Sequence, residues 1–240
     1  GSASMRGSVA QGGAMAGPVS PHRFTRRPFV RPWVMSKARI WLTVAVGSGL
    51  MRQHSGFLGA SNHGGATVTI TSREPDRIRV SKDATTEGGT STVITLPQSA
   101  TTFNFYVHGV EGATGADVVL DVTETRFNPA TFTVTPVQPA FEVAGILTST
   151  NTLAADDQFF IRVGIPNSVQ NPAFLNEFQP VRFNAPQAVT ATITSSATAV
   201  ATLVSQQAPL PGAGSVTVQI PAGSFNSPST IATGGATLHP

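Results

Sequence analysis

The chemistry open to this chain is set by a handful of residues. Among its 240 residues stand five histidines, twelve acidic residues and no cysteine. Thiolate nucleophiles, disulfides and cysteine-ligated zinc are therefore excluded. No Walker loop, GxSxG elbow or HExxH pair is present. Serine and threonine are too abundant for a Ser-His-Asp set to be picked out by spacing. The sharpest chemical option lies with His54, His63 and His108. Three neutral imidazoles meeting at one point would hold Zn²⁺ and leave its fourth position open. A water on that metal, its pKa drawn towards neutrality, would attack a phosphoester or carboxyl ester. Glu111 and Asp83 are the carboxylates placed to orient a ligating imidazole or to accept the proton. The plainer reading makes His54 and His63 polar members of a glycine-rich loop, Met51 to Gly65, and His108 the mark of a strand end.

The elements that would position these residues are strands. Threonine, valine, alanine, serine, glycine and proline dominate the composition, and charged residues are 11% of the chain. β-branched residues suit pleated, half-buried strands, and glycine and proline mark the turns between them. Alternating apolar positions place strands near 40–46, 66–72, 77–81, 90–96, 102–108, 117–124 and 131–137. Turn signals separate them, among them Gly47-Ser48-Gly49, Gly64-Gly65, Glu87-Gly88-Gly89 and Asn128-Pro129. If successive strands alternate direction, the loop 47–65 and the end of the strand at 102–108 share one pole. His54, His63 and His108 would then converge there, with Glu111 and Asp83 in loops of the same pole.

The chain also repeats itself. Thr69-Ile70-Thr71-Ser72 returns as Thr192-Ile193-Thr194-Ser195, Val80-Ser81 as Val204-Ser205, Leu96-Pro97 as Ile220-Pro221, and Gly112-Ala113-Thr114 as Gly235-Ala236-Thr237. The spacing stays at 123 or 124 residues through all four blocks, which is the signature of a repeated unit. Upstream, Leu42, Val44 and Val46 align with Ile161, Val163 and Ile165, and the position aligned with His108 is Ala232. A metal is thus not a requirement of the repeat itself. The run from Pro136 to Ala140 reads as a linker, and Phe141 to Ser149 as the first strand of the second copy.

In this order and rhythm, the segments Ala66 to Ser72, Ser91 to Pro97 and Phe103 to Gly115 resemble tandem immunoglobulin-like repeats of bacterial surface and secreted proteins, over residues 40–240. The resemblance implies an all-β fold of two tandem Ig-like Greek-key β-sandwich domains, each incomplete at one end. It implies function more loosely, as a spacer, stalk or adhesive module in an extracellular or cell-surface protein. Two functional classes therefore stand side by side. One is a non-enzymatic structural or adhesive module with no cofactor. The other is a zinc-dependent hydrolase of esters or phosphoesters built on His54, His63 and His108.

Three divisions follow: a basic, Pro/Gly-rich arm at 1–38, one repeat at 39–137 and a second at 138–240. Gly1-Ser2-Ala3-Ser4 reads as a tag scar, and the arm as sequence foreign to the repeats. Nine of the fifteen basic residues and none of the acids lie in residues 1–73. Prolines interrupt this basic stretch and it holds no nucleic-acid-binding motif, so nucleic acid is not the expected partner. No apolar run has the length of a membrane span. The second repeat lacks counterparts of the strands at 117–124 and 131–137, and open sheet edges invite pairing. The expected partner is the chain itself, as a homodimer or higher oligomer formed by strand addition or exchange. Asp156-Asp157 is a pair of solvated acids rather than a calcium loop. Phe103 and Phe105 share a core face, leaving Tyr106 alone on the other.

Overall fold

The computed structural model describes residues 44–168, 171–185 and 188–240. The arm at 1–38, with His22, lies outside the described residues. The described strands are β1 (Val44–Gly47), β2 (Met51–Phe57), β3 (Ala66–Ser72), β4 (Ile78–Ser81), β5 (Ser91–Leu96), β6 (Thr102–Gly109), β7 (Val118–Thr123), β8 (Ala130–Val137), β9 (Ala140–Ala144), β10 (Asp157–Ser168), β11 (Asn171–Phe178), β12 (Val189–Thr194), β13 (Thr202–Ser205), β14 (Ser215–Ile220) and β15 (Ala236–His239). A single turn of 3₁₀ helix, Ile231–Thr233, precedes β15, and no α-helix occurs among the described residues.

The first half is a sandwich of a five-stranded sheet, in order β1-β8-β7-β3-β5, and a three-stranded sheet, β2-β6-β4. The pleat accounts for it. Val68 and Ile70 of β3, Val118, Leu120 and Val122 of β7, and Phe132 and Val134 of β8 are buried on one side of their sheet. They meet Phe103, Phe105 and Val107 of β6 and Ile78 and Val80 of β4 in one core cluster. The chain crosses between the sheets at each step from β3 to β7, giving an immunoglobulin-like sandwich. β1 lies parallel to β8, with Val44 beside Val134. A turn then carries the chain to the other sheet, with Leu50 N–H donating to Gly47 O at 2.9 Å and Gly49 at φ +75°. Only glycine fits where this turn crosses β6: a Cβ on Gly109 would stand 2.2 Å from Gly47 O.

The second half sets β11-β10-β15-β13, with β9 also on β10, against the two-stranded β12-β14. Its core is a separate cluster of Phe159, Ile161, Val163, Ala191, Leu203, Val216, Val218 and Ile220, joined by Leu50 from the first half's turn. The repeated tetrapeptide sits in matching register in the two halves. Thr69 opposes Val93 and Ile70 opposes Thr92, while Thr192 opposes Thr217 and Ile193 opposes Val216.

Several expectations need correction. The loop 47–65 contains β2, which runs antiparallel to β6 from Met51 opposite His108 to Phe57 opposite Thr102. The supposed linker 136–140 is reduced to Gln138 and Pro139, because β8 reaches Val137 and β9 starts at Ala140. β11 was not expected. Gly112-Ala113-Thr114 and Gly235-Ala236-Thr237 do not correspond. Val80 opposes Val107 of β6, and Val204 opposes Thr237 of β15. β15 therefore stands where β6 does, and the residue in the place of His108 is Leu238 (opposite Leu203, as His108 is opposite Arg79), not Ala232.

Leu50 is fully buried in the second core although it belongs to the turn after β1. Leu50→Ala is expected to lower unfolding stability by about 2–5 kcal/mol through the cavity it leaves, read from urea denaturation followed by circular dichroism.

Candidate functional site

The three histidines do not converge. On β2, His54 is directly opposite Phe105, and Met51 is directly opposite His108. Opposed residues share a face, and the face alternates with each residue. His54 therefore points to the core side of the sheet and His108 to the outer side. The His54 ring lies 4.9 Å from the Phe132 ring and 5.9 Å from that of Phe105. Burial, with a smaller push from the Arg52 charge, lowers its pKa to about 4. His63 is at the other pole. Its Nε2 donates to Ala100 O at 2.7 Å, just before β6 starts, whereas His108 is near the strand's end, roughly 20 Å away at 3.4 Å per residue. Its Nδ1 accepts from Gly65 N–H at 3.1 Å, so both ring nitrogens are committed. No group of three or more His, Asp or Glu side chains stands together to hold a metal among the described residues. The expected convergence failed because strand direction does not alternate throughout: β4, antiparallel to β6, and β5, antiparallel to β3, run the same way, so β6 starts rather than ends at the pole of the loop that carries His63.

The structure builds a different cluster around His108, at the junction of the two halves. Ser81 Oγ donates to Asp83 O at 2.7 Å, so its 2.8 Å contact with His108 Nε2 is a bond it accepts. His108 is thus the Nε2–H tautomer. Among the described residues, its buried Nδ1 has no hydrogen-bond partner, and neither has Nη1 of the buried Arg182. Desolvation first, then the charges of Arg182 and Arg79, bring the His108 pKa down to about 4. The remaining Arg182 nitrogens form a two-point ion pair with Glu111, Nε to Oε1 and Nη2 to Oε2, both at 2.7 Å. Burial works to raise the Glu111 pKa, but the Arg182 bonds and charge prevail and hold it below its ordinary value. Asp83 takes Thr86 Oγ1 at 2.6 Å and Thr85 N–H at 3.1 Å, and the Thr86 bond chiefly lowers its pKa. Glu111 and Asp83 do lie at the His108 pole, but both are engaged in holding the fold.

Beside this cluster, the side chain of Gln179 acts like a strand residue. Its Oε1 accepts Gly47 N–H at 2.9 Å and its Nε2 donates to Ala45 O at 3.0 Å, which satisfies the outer edge of β1. Arg52 and Glu177 pair at 2.9 Å next to it. Main-chain bonds tie the same seam, with Met51 N–H donating to Pro180 O and Arg182 N–H to Gly49 O. Sequence reasoning missed Gln179 and Arg182. Their partners are 132 and 71 positions away, and no local pattern marks them.

Two clefts open among the described residues. One of about 390 Å³ opens at the seam between Arg52, Tyr106, Glu177 and Gln179. The other, of about 700 Å³, is lined by Phe183, Asn184, Thr190, Gln207, Thr217 and Gln219 among others, with no titratable side chain in its lining. Asp156 pairs with His239 at 2.6 Å, and Asp157 accepts Leu147 N–H, so each acid of that pair has its own protein partner.

No protein-family model matches the chain, and no curated protein matches it. Among solved structures, "Crystal structure of Dpr2 Ig1-Ig2 in complex with DIP-Theta Ig1-Ig3" is similar at 9% identity and a TM-score of 0.24. The similarity covers 86% of this chain and 60% of that one. The immunoglobulin-like assignment stands on the strand order and pairing given above.

Two expectations follow. Zinc titrated into the purified chain is expected to show no saturable one-to-one binding by calorimetry, and a chelator to leave the urea midpoint unchanged. His54 and His108 have folded-state pKa values near 4 against 6.5 unfolded, so the unfolded chain takes up protons first. Stability is full above pH 6.5, falls as pH drops from 6.5 to 4, and levels off below, by about 3 kcal/mol at most for the buried His108 and by less for the partly exposed His54. His108→Leu, which installs the residue of the matching position 238, is expected to remove its share of that fall in urea midpoints measured at pH 7.5 and 4.5.

Proposed function

We propose that this chain is a structural or adhesive immunoglobulin-like module of a bacterial extracellular protein, using one sandwich pattern twice and joining its own kind through strand pairing. The observation that carries the reading is the seam between the halves. Leu50 fills the second core from the first half, the Gln179 carboxamide completes β1, and Arg182 reaches across to Glu111. Buried polar contacts of this kind fix orientation, since each group left unpaired costs about 1–3 kcal/mol. A two-sandwich unit held at a set angle transmits position and load, which is what a spacer or stalk does. The candidate acids support the same view, because Glu111 gives both oxygens to Arg182 and Asp83 gives Oδ1 to Thr85 and Thr86. No helix among the described residues is long and apolar enough to cross a membrane. A module outside the cell accords with the fold.

The absence of cysteine makes the test direct. Spin labels on Thr95→Cys in β5 and Thr217→Cys in β14 are expected to give one narrow distance distribution by pulsed electron resonance. Adding Gln179→Ala is expected to broaden it. A broad distribution in the otherwise unchanged chain would remove the rigid-spacer reading.

A further inference from the structure

The strand β12 has an open edge, and the first sandwich shows what closes the matching edge there. β3 is an interior strand. On one side Ser72 N–H donates to Thr90 O at 2.9 Å towards β5, and on the other Thr69 and Thr71 oppose Thr123 and Asp121 of β7. β12 carries the same Thr-Ile-Thr-Ser run and makes the first contact alike, with Ser195 N–H donating to Gly214 O at 2.8 Å. The alternation of main-chain groups then turns the N–H and C=O of Thr190, Thr192 and Thr194 to the other edge. Among the described residues, β12 pairs with β14 alone.

A second observation lies across the sandwich. Phe141 opposes Val163 and Val143 opposes Ile161, so these β9 residues share the core-facing side of their sheet. Val163 and Ile161 are 1% and 2% exposed, whereas Phe141 and Val143 are 44% and 48% exposed. Matching β10-β15-β13 to β2-β6-β4 and β12-β14 to β3-β5 places the uncovered β9 side where the counterparts of β7 and β8 would stand.

We propose that this flank binds a strand pair of the β7–β8 type from a further repeat of the same pattern. The first added strand runs antiparallel to β12 and hydrogen-bonds to Thr190, Thr192 and Thr194. Every second residue is apolar, as Val118, Leu120 and Val122 are in β7, and turns onto Phe141 and Val143. This deepens the strand-pairing part of the proposed function and rests on it. A second copy of this chain is a poorer occupant, because its own β7 and β8 already pair with β3 and β1.

The probe is a synthetic peptide of residues 117–137, fluorescently labelled, titrated into the full chain and read by anisotropy. Saturable binding is expected. Thr192→Pro removes one edge N–H that faces away from β14 and has no strand partner among the described residues and is expected to weaken binding about tenfold, the scale of a lost main-chain bond with its steric clash. Val143→Asp, at a half-exposed position, is expected to weaken it likewise, which keeps the test decisive should Thr192→Pro disturb folding. A peptide carrying Leu120→Asp is expected not to bind. Absence of saturable binding to the unaltered chain, or binding indifferent to both substitutions, overturns the proposal. So does a dimer of the chain, seen by light scattering, that Thr192→Pro dissolves and the peptide fails to disrupt, since the occupant is then a second copy. The distance distribution between the two halves is independent of each of these outcomes, so a failed flank and a failed spacer reading are told apart.

Discussion

Where β1 ends, Gly47 passes over Gly109 so closely that a Cβ on the latter would lie 2.2 Å from a carbonyl oxygen. The crossing lets one short segment serve two sheets, β1 beside β8 and β2 beside β6. It also aims Leu50 outward, into the neighbouring core, and leaves the free edge of β1 within reach of Gln179. If the chain crossed further from β6, the turn would no longer present Leu50, and Gln179 would lose both main-chain partners. The seam, and with it the fixed relation of the two sandwiches, depends on this contact.

The polar groups near that crossing are shaped by burial. An imidazole kept neutral can sit against Phe105 and Phe132, as His54 does, at the cost of an unpaired Nε2. His108 trades its Nε2–H with Ser81 and leaves Nδ1 bare beside the Arg182 charge. A guanidinium as buried as that of Arg182 is tolerable only with its carboxylate in place, because breaking a buried pair exposes the full desolvation penalty of the survivor. The pair with Glu111 therefore locks the seam more than it adds net stability. Of the groups that suggested a metal site, His54 and His108 are kept neutral by burial and Glu111 is paired with Arg182.

Much of the strand plan was legible because the inward positions are apolar and alternate, as in Val118, Leu120 and Val122 or Phe103, Phe105 and Val107. β2 was illegible for the converse reason. Its core-facing positions are Arg52, His54 and Gly56, and the Phe103 ring fills the space over Gly56, where a Cβ would stand 2.0 Å from the ring. The apolar signal of that rung is carried wholly by the partner strand, so β2 reads as a glycine-rich loop. Overlooking it made His54 a loop residue, whereas His63 falls at the other pole from His108 because β4 and β5 run the same way and break the expected alternation. The register of β3 and β12 could be read from the repeated tetrapeptide. The match between β15 and β6 could not, since turns of unequal length shift it from the constant spacing of the other blocks.

The two sandwiches differ in how completely their sheets cover each other, and the difference falls on chemistry that is normally guarded. Natural edge strands are protected by proline, lysine, a bulge or an inward charge. β12, with the sequence Val-Thr-Ala-Thr-Ile-Thr, carries none of these, and its register with β14 runs unbroken from Val189 to Thr194. Opposite lie Phe141 and Val143, apolar and half exposed on a core-facing side. Among the described residues the edge has no guard and the apolar face is half exposed, and the main-chain groups and the apolar area would both gain by being covered. Nonspecific aggregation is one outcome of that combination and selective strand pairing is the other. The reproduced register of β3 favours the selective one, since it supplies a defined direction, spacing and side-chain alternation for the strand that would fit.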